Sequence, residues 1–291
     1  NWSLPLAMIT GVVFYRFFDK LSPVIPSLIF IMLLLTFSKL SPRKVRFSPL
    51  HGWLVLIQTV GSVGVYLLLV GWDKTVAESA LICVLAPTAT SAAVVTGMLG
   101  GSVAALTTYT LICNLVVAVM APLTFSLIGP VGDATFWTSF GQISLKVLPL
   151  LVLPLAVAWS LQRWLPGVNR RITSLHGMAF YLWTIALIIV TARTVSFLVN
   201  QENLNIGMTV LIALVSLLIC ALQFFVGKRL GRRYKKTIAG GQALGQKNTV
   251  LAIWMAQSFL NPLSSLGPAA YVLWQNAFNS WQLYRRRKTQ A

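Results

Sequence analysis

Acidic residues are almost missing from this chain, which has five of them against 23 lysines and arginines, and only 10% of its residues carry a charge. So few charges cannot solvate the surface of an ordinary soluble domain of this length. Three cysteines, Cys83, Cys113 and Cys220, lie inside apolar runs with no paired spacing and no CxxC, and the two histidines, His51 and His176, have no partner motif. Neither a disulfide framework nor a metal or cofactor site is indicated. No soluble stretch is long enough for an extramembrane catalytic domain. An intramembrane enzyme would need a nucleophile with a base, or a cluster of His, Asp or Glu, and the spans hold no HExxH-like motif and no acid that the sequence marks as buried.

What is present is apolar length. The composition is 57% hydrophobic with mean hydropathy +0.78, which predicts an all-α polytopic membrane protein whose principal partner is a lipid bilayer. A formal net charge of +18 suggests nucleic acid at first sight, but the basic residues fall in short clusters between apolar runs and report topology instead. The first run lacks a basic leader and a small-residue cleavage site, so no cleavable signal is expected. Runs of roughly 20 residues predict ten spans, near 2–18, 22–39, 51–71, 77–99, 102–128, 140–162, 177–199, 206–227, 237–261 and 264–284.

Lys39, Arg43, Lys44 and Arg46 follow the second span, Arg163, Arg170 and Arg171 the sixth, the cluster from Lys228 to Lys236 the eighth, and Arg285, Arg286, Arg287 and Lys288 the tenth. All five acids, Asp19, Asp73, Glu78, Asp133 and Glu202, fall on the other side. An excess of Lys and Arg marks the cytoplasmic face, so both termini are expected in the cytoplasm and the protein in the cell inner membrane. The sequence carries no signal for an oligomeric state.

Two spans are interrupted. The ninth, AGGQALGQKNTVLAIWMAQSFLN from Ala239 to Asn261, opens with glycines and amides and holds Lys247 near its middle. A charge there costs roughly 2.5–3.5 kcal/mol even on lenient insertion scales, so a chain that keeps one uses it. An amide-lined packing seam with Lys247 reaching to an interface is the plainer alternative. The fourth span carries Leu85-Ala86-Pro87-Thr88-Ala89-Thr90-Ser91, in which Pro87 breaks the helical ladder and three hydroxyls face a ligand or bond back to the helix as at an ordinary proline kink. Broken helices five spans apart cross the bilayer in opposite senses. That predicts an inverted five-plus-five repeat, about 1–130 and about 138–288, with a binding site at the crossing. Half-helix N-termini and Lys247 favour a small organic anion. Arg193 and Lys146 sit near span ends and are expected to snorkel, and Pro149 and Pro154 to bend the sixth span.

On these residues the chain resembles the bile acid:sodium symporters and their bacterial homologues. Gly245, Asn248 and Leu251-Ala252 resemble the family's E-x-G-x-Q-N-x-x-L-A signature. Phe259, Pro262-Leu263 and Trp274-Gln275-Asn276 keep the spacing of its F-x-P-L and W-H-N. Pro87, Thr90 and Thr96 fit P-G-G-T-A-S-N-x-x-T. The resemblance implies a core domain and a panel domain, broken helices crossing in the core, and alternating access. With the residue-level reading it makes Thr88, Thr90, Ser91, Lys247, Asn248, Thr249, Gln275 and Asn276 the candidate substrate contacts.

In that family two sodium ions are held by oxygen ligands. Here the signature glutamate is replaced by Ala243, the glutamine by Lys247, the Ser-Asn pair by Ala92-Ala93, and a hydroxyl in the fifth span by Leu106, while Thr110 keeps a hydroxyl. Alanine and leucine side chains offer sodium nothing, so neither sodium site is expected to survive. A glutamate with two sodium ions leaves one net positive charge at the family's site, and Lys247 alone supplies that charge. The expected activity is secondary transport of an organic anion that is sodium-independent, by facilitated diffusion, exchange or proton coupling. The alternatives are a sodium-coupled symporter and a homologue that binds its ligand as a sensor or scaffold without moving it.

Overall fold

A computed structural model covers the chain, and residues 3–40, 45–129, 135–175, 178–200 and 206–290 are described. Arg43, Lys44, Asp133, His176 and Glu202 lie outside them. The described residues are helical, with no strand among them. In chain order the helices are α1 (Ser3–Val13), α2 (Tyr15–Phe18), α3 (Ile25–Phe37), α4 (Pro49–Val70), α5 (Lys74–Leu85), α6 (Ala92–Met98), α7 (Val103–Ile128), α8 (Phe136–Trp164), α9 (Pro166–Ser174), α10 (Met178–Val199), α11 (Ile206–Arg233), α12 (Thr237–Gly245), α13 (Thr249–Phe259) and α14 (Leu266–Gln290). Polar caps set the starts of α4, α5, α7, α8 and α13. The Asp73 carboxylate accepts from Val76 N at 2.8 Å and begins α5, and His51 Nδ1 accepts from Ser48 N at 3.2 Å at the head of α4. His51, which has no motif partner in the sequence, is thus a helix-capping residue.

Among the described residues, six helical stretches are long and apolar enough to cross a membrane: Tyr15–Phe37, Pro49–Val70, Val103–Ile128, Phe136–Trp164, Met178–Val199 and Ile206–Arg233. Five coincide with expected spans. Tyr15–Phe37 does not, because the sequence places the first boundary at the charged pair Asp19-Lys20. The structure instead leaves the helical region at Phe14 and carries the charged pair inside a 3₁₀ turn, Asp19–Val24, where Ser22 Oγ donates to the Asp19 carbonyl at 2.5 Å. The runs expected at 77–99 and 237–261 are each split into two short helices. In α14 amides and a basic last turn dilute the hydropathy. Pro122, Pro149 and Pro154 sit inside α7 and α8 without ending them. Helix α9, in the basic connection after α8, is exposed and was not expected.

Packing follows two patterns. Helix α1 lies on α10, α3 on both α8 and α10, and these surround one part of the apolar core. Helix α4 lies along α5, α11 along α12, and α14 bridges α5 and α11, while α7 joins α8 to this second group. The α11–α12 pair is backbone on backbone: a Cβ on Gly240 would fall well inside contact distance of the Gly227 carbonyl, and one on Gly227 would strike that of Gly240. Small residues are what let membrane helices approach this closely. Gly240→Ala is therefore expected to cost about 1–3 kcal/mol as overpacking, read as a lower midpoint of thermal unfolding in detergent. Gly64→Ala, with nothing within 4 Å of its added carbon, should leave that midpoint unchanged.

Candidate functional site

Helix α5 stops at Leu85 because Pro87 cannot continue it; Ala86 turns to φ −47°, ψ 138°, and α6 resumes at Ala92. Helix α12 stops at Gly245, Gln246 is extended, and α13 is capped by Asn248, whose side-chain oxygen accepts from Leu251 N at 3.2 Å. The two extended segments meet as a single antiparallel bridge between Thr88 and Lys247. Ala89 N donates to the Gln246 carbonyl at 2.9 Å and Asn248 N to the Pro87 carbonyl at 2.8 Å. Each break thereby supplies backbone partners that the other lost, which meets the demand that polar groups at membrane depth be satisfied internally.

The carbonyls at the end of α5 are closed by side chains from three directions. Gln223 Nε2 on α11 donates to the Cys83 carbonyl at 3.1 Å, Lys247 Nζ to that of Val84 at 2.7 Å, and Gln58 Nε2 on α4 to those of Leu85 and Ala86 at 2.7 and 3.1 Å. At the end of α12, Thr88 Oγ1 donates to the Ala243 carbonyl at 2.7 Å and the Tyr271 hydroxyl to that of Gly245 at 3.0 Å. Helix ends leave such carbonyls without partners and carry the negative end of the helix dipole. Lys247 is 1% exposed, and its amine is enclosed against the C-terminal end of α5.

Of the eight candidate contacts, Thr88, Lys247, Asn248, Thr249 and Gln275 are buried together at the crossing, and Gln275 Oε1 accepts from Lys247 N at 2.8 Å. Ser91 is exposed and Thr90 partly so; Ser91 Oγ accepts from Gln246 Nε2 at 2.9 Å. Asn276 is partly exposed and turns back to its own helix, donating to the Val272 carbonyl at 2.7 Å. Ala92, Leu106 and Ala243 are fully buried in one apolar cluster with Tyr109, Cys113 and Leu244, and Ala93 packs against it. Thr110 Oγ1 bonds its own helix at the Leu106 carbonyl, 3.0 Å away.

Sequence reasoning missed several residues of this network. Gln58 and Gln223 are amides in the middle of long apolar runs, a signal that was there to be read. Each is tied to a tyrosine, the Tyr109 hydroxyl donating to Gln58 Oε1 and Gln223 Nε2 to the Tyr271 hydroxyl at 3.1 Å. Cys113 Sγ accepts from Thr88 N at 3.4 Å, and all three cysteines are free and buried. The reading that no span holds a buried acid is corrected by Glu78. It is fully buried on α5, accepts from Asn261 N at 2.8 Å and lies 3.8 Å from Lys74, because the turn after α13 covers the first turns of α5. Lys146 is exposed near the Phe259 ring and Arg193 is partly exposed.

Six membrane-length apolar helical stretches among the described residues, and two broken runs whose interrupted ends satisfy one another in the interior, are the architecture of a polytopic membrane protein. The profile of the SBF-like CPA transporter family matches residues 22–276, and the chain belongs to that family, in agreement with its resemblance to the bile acid:sodium symporters. No curated protein matches the chain.

Proposed function

We propose that this protein moves a small organic anion across the cell inner membrane by alternating access without sodium, and that Lys247 permanently replaces the cations its relatives bind. The observation that carries this reading is the pairing of Lys247 Nζ with the Val84 carbonyl, beside an apolar cluster holding Ala92, Leu106 and Ala243, the positions that the resemblance aligns with sodium ligands of the family. An ammonium there offsets the negative ends of α5 and α12, as a bound cation would. It cannot leave with the substrate, so no sodium gradient is spent.

The inverted repeat draws support from matched parts. Gln58 pairs with Tyr109 and Gln223 with Tyr271, at separations of 51 and 48 residues, one pair in each proposed half. The packing of α4 on α5 parallels that of α11 on α12, and the packing of α1 on α10 parallels that of α3 on α8. On this reading ten spans divide into a panel of α1–α3 with α8–α10 and a core of α4–α7 with α11–α14. The basic ends of α11 and α14 lie in the cytoplasm with both termini. Thr90, Ser91 and Asn276, the accessible polar groups around the crossing, contact the substrate first, and the buried Thr88, Asn248, Thr249 and Gln275 hold the crossing in shape.

Uptake of organic anions into proteoliposomes tests the reading. Counterflow in sodium-free buffer should equal that in sodium within about twofold. Strict dependence on sodium sinks it, and ligand-induced thermal stabilisation without any counterflow points to a sensor instead.

A further inference from the structure

Beside the basic ends of α11 and α14, where the end of α6 and the start of α12 meet them, the structure holds an open cleft of about 350 Å³, comparable in volume to small-ligand sites. Lys228 from α11, Thr237 from α12, and Gln282, Arg285 and Arg286 from α14 line it, with Trp281 at its side. It is separated from the crossing by α12, whose nine residues span about 13 Å.

The cations are held there by carbon and rings. The stem of Lys228 lies on Gly241, where an added Cβ would come within 2.6 Å of its Cγ. The guanidinium of Arg286 lies on Gly100, in the turn between α6 and α7, where φ is +72° and glycine leaves the space open. The guanidinium of Arg285 stands 5.2 Å above the Trp281 ring. Among the described residues neither Lys228 nor Arg286 makes an ion pair, and Asp19, Asp73 and Glu78 belong to other parts of the fold. Like charges fixed around one cavity repel each other unless an anion joins them, and a pocket lined by an ammonium and two guanidinium groups suits phosphate oxygens.

Trp281 and Tyr284 are 51% and 65% exposed on the same helix. Such rings settle at the depth of lipid headgroups, so the cavity opens where phosphate is densest. We propose that this cavity binds a phosphate-bearing anion, supplied by the headgroup of an acidic phospholipid, which braces the α6–α7 turn against α11, α12 and α14. The proposal depends on the chain lying in a membrane and not on what it carries.

Thermal unfolding of the full chain in detergent tests it, with phosphatidylglycerol, phosphatidylcholine, and inorganic phosphate matched to chloride in ionic strength. Phosphatidylglycerol should raise the midpoint by several degrees over phosphatidylcholine. Lys228→Gln with Arg286→Gln should abolish the shift, while Arg232→Gln with Arg233→Gln, which removes the same charge from exposed positions on α11, should keep it. If inorganic phosphate alone reproduces the shift and the first pair of substitutions removes it, the site stands with a soluble source. No shift with either ligand, or a shift that survives Lys228→Gln with Arg286→Gln, overturns the proposal. Should that variant fail to fold, hydrogen exchange on the unsubstituted protein decides: phosphatidylglycerol must protect amides in 97–102, 237–241 and 281–287, and unchanged exchange there overturns it equally.

Discussion

Lys247→Met is expected to leave a folded protein with an unfolding midpoint equal to or above that of the parent, and to lower anion uptake at least tenfold. The two effects have separate causes. Burying an ammonium costs several kcal/mol even after relaxation. Among the described residues no carboxylate lies within ion-pair distance of Lys247 to offset that cost. Its bond to the Val84 carbonyl returns only about 1.5–3 kcal/mol. Methionine fills a similar volume without a charge, so fold stability should not require the lysine. Transport, on the proposed function, should. Without the ammonium an arriving anion meets the negative ends of α5 and α12, each worth about half an elementary charge. One unit charge about 8 Å away is worth about 2 kcal/mol at an effective dielectric of about 20, and 1.4 kcal/mol is already tenfold in binding. Unfolding curves and uptake on the same preparation check the prediction, and full uptake with Lys247→Met would end the surrogate account.

The second large effect is a gain. On the proposed function, Ala92→Ser, Ala93→Asn, Leu106→Ser, Ala243→Glu and Lys247→Gln introduced together should give uptake that sodium stimulates about tenfold or more. Ala92, Leu106 and Ala243 share one buried cluster with Ala93 packed against it, so oxygens placed at these positions converge instead of scattering. Leu106→Ser gives up volume in the same cluster to which Ala243→Glu adds it, which should limit overpacking. Hard oxygen donors in sufficient number are what a sodium ion needs. Lys247→Gln alone removes the amine without restoring the oxygens, and should transport poorly in either buffer. Uptake by the fivefold variant that remains indifferent to sodium would show that these positions no longer form an ion site.

Much of the architecture was legible because membranes impose simple rules. Apolar runs of the required length became α4, α7, α8, α10 and α11. The interruptions at Pro87 and around Gly245 and Lys247 are where α5 and α12 end, since proline and glycine act through the local backbone and need no tertiary partner to be read. Glu78 was misread for the opposite reason. Four residues after Lys74 and five after Asp73 it resembles a loop acid, and only the chain around Asn261, far away in sequence, encloses it.

By itself, then, the sequence determined that the chain belongs in a bilayer, that two of its spans are broken, and that one of these carries a cation near its middle. These depend on composition and on backbone chemistry that each residue brings with it. Only the tertiary structure decided which groups that cation and the broken ends meet: the Val84 carbonyl for Lys247, the Ala243 carbonyl for Thr88, and Gln58 and Gln223 for the rest of α5. Those partners lie up to 163 residues apart. A hydrogen bond requires two atoms within about 3 Å, and no local pattern records which distant residue will supply the second.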